Sequence, residues 1–344
     1  MHAALLVPGP FDTVSGGYGY DRAIVRGLRE LGHTVTVAEL GGQYPLPDDA
    51  ARQAARTAWD NLPTGAVPVI DGLALPAFAA VADEFAARAA VGLIHHPTCL
   101  EAGLPEPDAV ELRRLETGLF ARLPRIVVTS DVTAATLAAD FAVPAERIAV
   151  VVPGTGPARR SPGSGAATCH ILAVGTLIPR KGHDLLLTAL AKLFDLDWRL
   201  TVAGGELDSV TGRSLQALAE QLHVSQRVRF AGTVVDEALE ALWQSADLFA
   251  LATHYEGYGM AVAEALARGL PVVVTDGGAA GRLVTPQAGA VCPVGDLATL
   301  SKTLRRLIFD AELRRDMAAH TWTLGRALPD WPAQARAFAQ AIAS

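Results

Sequence analysis

Short apolar runs recur along this chain, and the segments between them carry helical periodicity. The early runs are AALLVP at 3–8, GHTVTVAEL at 32–40, VPVIDG at 67–72, VGLIHHP at 91–97 and RIVVTS at 125–130. Between the first two lies GYDRAIVRGLREL, which places Ile24, Leu28 and Leu31 on one face of a 3.6-residue period. Strands that pair in parallel need long crossovers, usually helices. The alternation therefore predicts a parallel sheet with right-handed connections. Half of the residues are hydrophobic and only 19% are charged, which suits sheets covered on both faces.

The pattern breaks once. PGTGPARRSPGSGAA, at 153–167, is rich in Pro, Gly and Ser and reads as a linker. A second series follows it: HILAVGT, WRLTVAGG, RVRFAGT, DLFALAT and LPVVVTD, with helical stretches such as DLLLTALAKLF and TLSKTLRRLIF between them. A chain of 344 residues is long for a single core. The expected organisation is an N-terminal Rossmann-like domain over 1–155, a linker over 156–167, a second Rossmann-like domain over 168–328 and a C-terminal helix over 329–344. Two such α/β domains would face one another across a cleft, with ligands beyond the carboxyl ends of the strands.

The bulk composition excludes several classes. A net charge of −7 with no long basic run argues against a nucleic-acid partner. Cys99, Cys169 and Cys292 form no CxxC pair and no even set, which predicts a reducing, cytoplasmic setting. The N-terminal MHAALLVPGP has no basic leader region and reads directly as a strand, so no signal peptide is expected. No apolar run approaches the roughly 20 residues of a spanning helix. Arg113, Arg114, Arg122 and Arg125 read as a solvated face, with docking on a membrane surface as the alternative.

The densest chemistry lies in YEGYGMAVAEALARGLPVVVTD, at 255–276. A strand precedes it, and a helix ending near Gly269 follows. The intervening loop holds Glu256, Gly257, Tyr258 and Gly259. Glycines let backbone amides approach a ligand, and a helix N-terminus favours a phosphate oxygen. Glu256 and Glu264 would repel that phosphate unless they face neutral hydroxyls, as on a sugar or ribose. The stretch thus asks for a ligand with both a diphosphate and a sugar. Cations for the diphosphate come from AVGTLIPRKGHDLLLTAL, where a strand ends and a loop carries Arg180 and Lys181 into the next helix. No His, Cys or carboxylate group shows metal-ligand spacing: His170, His183, His223 and His254 are scattered, and DLD at 195–197 reads as a helix-to-strand turn. A nicotinamide site is disfavoured, because GGYGYDR has Arg22 where a GxGxxG motif needs its third glycine.

The pair GTLIPRKG and EGYGMAVAEALARGLPVV resembles the family four retaining glycosyltransferases of the GT-B fold, whose signature sets two glutamates with seven residues between them behind a basic loop. SGGYGYDRAIVRGLRELGHTVTV, TDGGAAGRLV and GAVCPVGD are similar to further landmarks of that family, so the resemblance runs along nearly the whole chain. Thr176 stands where many members carry arginine, and Arg282 where the family often has glutamate.

The resemblance implies a GT-B architecture whose C-terminal helix crosses back to the N-terminal domain. It implies a metal-independent hexosyltransferase that moves a sugar from a nucleoside diphosphate sugar to an acceptor hydroxyl, with no cofactor. The acceptor could be a glycan, a lipid-linked or a small molecule. Gly16 and Gly17 would lie near the donor phosphates. Arg180 and Lys181 would neutralise the leaving diphosphate. Glu256 would hold hydroxyls of the transferred sugar beside the Gly257, Tyr258 and Gly259 backbone, and Glu264 the ribose diol. His95 or His96 would touch the transferring sugar or the acceptor. Two other readings stay open: an epimerase or hydrolase of the nucleotide sugar, which would consume donor without acceptor, and a non-catalytic nucleotide-sugar binder.

Overall fold

A computed structural model describes residues 1–206 and 209–343. The chain forms two compact units, Met1–Gly154 together with the C-terminal helix, and Thr155–Leu328.

The first unit is built on six parallel strands: β1 (His2–Pro8), β2 (Thr34–Leu40), β3 (Ala66–Asp71), β4 (Val91–Ile94), β5 (Arg125–Val128) and β6 (Ile148–Val150). Their order across the sheet is β2-β1-β3-β4-β5-β6. Helices α1 (Gly16–Glu30), α2 (Asp49–Asp60), α3 (Glu106–Arg122) and α4 (Asp131–Asp140) make four of the crossovers, and a 3-10 segment, Leu75–Glu84, makes the one from β3 to β4. Trp59, Phe78, Phe85 and Phe120 fill the larger part of the core. Ser15 caps α1 by accepting from the Tyr18 amide. Gly16 and Gly17 form the first turn of this helix.

The second unit repeats the scheme with β7 (Cys169–Val174), β8 (Trp198–Ala203), β9 (Val228–Gly232), β10 (Leu248–Leu251), β11 (Val272–Thr275) and β12 (Gly289–Cys292). The order is β12-β11-β10-β7-β8-β9, all parallel. Its helices are α5 (His183–Ala191), α6 (Val210–Gln221), α7 (Asp236–Gln244), α8 (Met260–Ala267), α9 (Leu297–Phe309) and α10 (Ala311–Arg326). The continuous apolar runs have the expected cause. Ile171 and Ala173 of β7 enter one core, and Leu172 enters the other; Leu248 and Ala250 of β10 part from Phe249 and Leu251 in the same way. Both faces of the sheet are dry, so the strands cannot alternate apolar with polar. Two six-stranded parallel sheets, each wrapped by helices, constitute the GT-B fold.

The chain between β6 and β7 has no regular structure, and it is strapped to the second unit. Asp247 accepts from the Ser164 amide, the Ser164 hydroxyl and the His170 amide, and the Ser161 amide donates to the Arg268 carbonyl. The last helix, α11 (Trp331–Ala343), packs on α1 of the first unit. Gly27 makes this possible, since a Cβ there would stand 2.5 Å from that of Ala335. Ser344, the last residue of the expected helix, lies outside the described residues. Among the described residues no helix is long and apolar enough to cross a membrane.

Candidate active site

Each sheet has one switch point, where connections leave to opposite sides and a crevice opens beyond the carboxyl ends of the strands. In the second unit it lies between β7 and β10, which are neighbours in the sheet though far apart in sequence. The loop after β7 carries Arg180 and Lys181, and the loop after β10 carries Glu256. Sheet topology alone therefore brings the basic pair to the carboxylate.

The two loops are stitched by main chain. The His254 amide donates to the Arg180 carbonyl at 2.8 Å, and the Arg180 guanidinium donates to the Tyr255 carbonyl at 2.8 Å. The Lys181 ammonium donates to Glu256 Oε1 at 2.6 Å, and Arg180 Nη1 lies 3.6 Å from the same oxygen. The Thr253 hydroxyl lies 3.2 Å from it. All three charged side chains are mostly buried. Burial alone would push the Glu256 carboxyl up, but the Lys181 and Arg180 charges outweigh it and hold it below the usual range. The cluster is two cations and one carboxylate, an excess of positive charge that suits a bound polyanion.

Gly259 precedes α8 with φ +102° and offers no capping side chain. The first amides of α8 thus lack a side-chain partner at their own N-cap, as an anion site requires. Tyr258 turns its ring inward, and burial pushes its hydroxyl up to about 12, so it stays neutral. Glu264 lies farther along α8. Among the described residues its carboxylate has no hydrogen-bond or ion-pair partner, and burial pushes it up. A partly buried carboxylate in that state is an acceptor for hydroxyl groups.

In the first unit β1 is the switch strand, flanked by β2 and β3. His95 follows β4, and its Nε2 lies 3.1 Å from Asp21 Oδ1 on α1 and 3.6 Å from Asp71 Oδ2 at the end of β3. Both aspartates are buried. Gly17 makes room for this ring: a Cβ at 17 would come 3.3 Å from His95 Cδ2. His96 turns elsewhere and pairs with Glu101 at 2.8 Å. Glu116 of α3 fixes the loop that follows, accepting from the Thr98 and Cys99 amides and the Thr98 hydroxyl. Asp21 and Asp71 were not anticipated from sequence. They come from two separate segments, and the one available signal was Asp71 in VPVIDG, a carboxylate at the end of an apolar strand. The three ligand atoms of Asp21, Asp71 and His95 lie within 4.8 Å of one another, a grouping able to share a proton or to hold a cation.

This cluster makes stability depend on pH. Burial pushes Asp71 up to about 7, with the Asp21 charge adding to the effect and His95 opposing it. For His95, burial works downward, but the Asp21 charge and hydrogen bond outweigh it and raise the ring. Asp71 titrates near 4 in an unfolded chain. Between that value and about 7 the native state binds more protons than the unfolded one, so stability falls as pH rises. His95 continues the trend above about 6.5. Asp71→Asn mimics the protonated form. Its melting temperature should match wild type at about pH 3, gain on it between about pH 4 and 7, and level off above that. A variant that keeps the wild-type pH slope would contradict the assignment of Asp71.

Arg113 stacks on Phe141, Arg114 pairs with Glu111 and Arg122 with Asp83, so these arginines serve local packing. Asp195 is bidentate to Arg305, and Asp197 accepts from Thr168, in keeping with a turn for DLD.

Two doubly wound parallel sheets, with a basic loop and a buried glutamate brought together at the second switch point, make this a protein of the GT-B class. Residues 159–321, within the second unit, match the family described as glycosyl transferases group 1. The chain is similar to D-inositol 3-phosphate glycosyltransferase of Mycobacterium sp. (strain KMS), 32% identical over 69% of this chain and 58% of the relative. It is also similar to mannosylfructose-phosphate synthase of Agrobacterium fabrum, 32% identical over 46% of this chain and 38% of the relative. The chain spans about half the length of the curated relatives it matches. Among solved structures, sucrose-phosphate synthase of Thermosynechococcus elongatus superposes with a TM-score of 0.82 at 18% identity, covering 99% of this chain and 98% of that one. Anabaena HepE in complex with UDP-glucose superposes at 0.79 and 20%, covering 99% of both. At those identities the likeness concerns the fold.

Proposed function

We propose that the chain is a retaining hexosyltransferase that moves a sugar from a nucleoside diphosphate sugar to an acceptor hydroxyl. The observation that carries this reading is the meeting of Arg180, Lys181 and Glu256 at the sheet switch point beside the open N-terminus of α8. In this reading the diphosphate accepts from the two cations and the α8 amides, and Glu264 accepts from the ribose diol. Glu256 has two tasks, orienting Lys181 and accepting from hydroxyls of the transferred sugar with its second oxygen. No carboxylate is assigned as a covalent nucleophile. The departing diphosphate gains charge as the glycosidic bond breaks, and the cations stabilise that charge where it develops. The acceptor proton passes to the leaving phosphate on the same face, which preserves the anomeric configuration. In the first unit, His95 is the candidate for the sugar or acceptor side, because Asp21 and Asp71 orient its ring. UDP is the first base to test, since the HepE structure holds UDP-glucose. The sugar-phosphate and inositol-phosphate relatives make phosphorylated polyols the first acceptors to try.

The test is a thermal-shift panel of UDP-, GDP- and ADP-hexoses, followed by transfer assays with and without EDTA. A true donor at a hundred times its Kd stabilises the native state by about 2.7 kcal/mol, so one base should stand out. Transfer should survive EDTA and yield a product with the donor's anomeric configuration. Donor consumption independent of any acceptor would replace the transferase with a hydrolase or epimerase. Activity lost in EDTA and restored by a divalent ion would overturn the metal-free chemistry.

A further inference from the structure

Glu264 of α8 and Arg268, the residue that ends this helix, stand four residues apart, with the glutamate N-terminal. This is the favoured arrangement for an ion pair along a helix. The pair does not form. Arg268 instead gives both Nε and Nη2 to Glu240 Oε2 of α7, at 3.0 and 2.6 Å. Its Nη1 donates to the main-chain carbonyl of Glu264 at 3.1 Å, and its guanidinium lies over the Trp243 ring, 5.0 Å from the centroid. Glu240 is held in turn: its other oxygen accepts from Gln244 Nε2 at 2.8 Å, and the same amide reaches the Arg159 carbonyl. The hydrogen bonds of Arg268 go to Glu240 and to the Glu264 main chain, and the Glu264 carboxylate has no hydrogen-bond or ion-pair partner among the described residues.

We propose that Glu240 is a positioning residue for the nucleotide site: by capturing Arg268 it keeps the Glu264 carboxylate unpaired and available to the vicinal diol of a bound nucleotide. The inference rests on the reading of Glu264 as the diol acceptor. An arginine on Glu264 would occupy the lone pairs the diol needs, and the ligand would have to displace an ion pair before binding. Burial drives the Glu264 carboxyl up, the Arg268 charge moderates this and the Glu240 charge adds to it, so the carboxylate gains from any hydroxyl donors a ligand brings.

The test is calorimetric titration with whichever of UDP, GDP and ADP binds wild type best, alongside its 2′-deoxy form. Glu240→Ala frees Arg268 to turn onto Glu264. Affinity should fall on the order of 5- to 10-fold, the scale of a competing ion pair at a partly exposed site. Discrimination against the 2′-deoxy nucleotide should shrink with it. The double variant Glu240→Ala/Arg268→Ala should return to within about twofold of wild type, and Glu240→Gln, which keeps an acceptor for Arg268, should stay near wild type. Recovery in the double variant separates positioning from a folding defect, because the double variant lacks even more of the packing. If Glu264→Ala weakens binding but Glu240→Ala does not, the inference fails and the diol reading stands. If the single and double variants lose affinity alike, the pair is structural and the inference fails. If Glu264→Ala binds like wild type, or no nucleotide binds wild type, the diol reading falls and takes the inference with it.

Discussion

Replacing Lys181 by alanine should cut kcat by roughly 10²- to 10³-fold, the scale of losing one preorganised charge partner of a developing anion, and should raise the donor KM far less. The ammonium lies at the mouth of the crevice between β7 and β10, fixed by its 2.6 Å bond to Glu256. At an effective dielectric near 20, a unit charge pair at 4 Å is worth about 4 kcal/mol before desolvation is subtracted. In the proposed reaction the diphosphate becomes more negative as the sugar leaves, so part of that attraction exists only in the transition state. Arg180 is the second cation, and Arg180→Ala should act in the same direction; Thr176 offers no charge to replace either. Truncating one member of a mostly buried pair also strands the other. Glu256 keeps Arg180 at 3.6 Å, which limits this cost. Circular dichroism melts run beside the kinetics separate the two effects, since a folding defect lowers active enzyme without splitting kcat from KM. A Lys181→Ala enzyme with normal kcat and only a raised KM would make the loop a binding clamp with no part in the transition state.

The parts of the fold legible in the sequence are those governed by local physics. β7 and β10 read as unbroken apolar runs because both faces are covered. Gly269, with φ +70° just past α8, marks that helix end as expected. β6 is absent from the expected strands although 148–152 is an apolar run, because it is a three-residue, partly exposed edge strand that leads straight into the Pro- and Gly-rich stretch. Arg180, Lys181 and Glu256 could be linked in advance because each follows a strand end in a familiar motif. Asp21 and Asp71 could not, since only the sheet order β1-β3-β4 brings them to His95. Of the two adjacent histidines, sequence left the choice open; packing under Gly17 and the pull of two carboxylates distinguish His95 from His96. The Glu240–Arg268 pair is the sharper lesson. Local spacing points Arg268 at Glu264, and a neighbouring helix overrides it through a contact no periodicity encodes.

Gly182→Ala should be among the most damaging single-methyl changes in the second unit, costing at least about 3 kcal/mol, the range of strained and clashing backbone sites. Gly182 joins the Arg180–Lys181 turn to α5 with φ +61°, a left-handed conformation that costs a non-glycine residue roughly 1–2 kcal/mol. The greater part of the cost is steric. A Cβ at 182 would stand 1.9 Å from the Ala252 carbonyl oxygen and 2.8 Å from its carbon. Those atoms are main chain at the exit of β10, so no rotamer change can relieve the clash; the basic loop must lift from the loop that carries Glu256. Gly295 provides the control. Its φ is +76°, yet an added Cβ there meets nothing within 4 Å, so Gly295→Ala should show the conformational cost alone, about 1 kcal/mol, or about 2–4 °C in a unit of this size. Gly182→Ala should lower the melting temperature several times further and weaken nucleotide binding as well, because Lys181 is its neighbour. Equal melting shifts for the two variants, with nucleotide affinity kept, would mean that the basic loop does not pack on β10 as described, and the case for Arg180, Lys181 and Glu256 as one site would go with it.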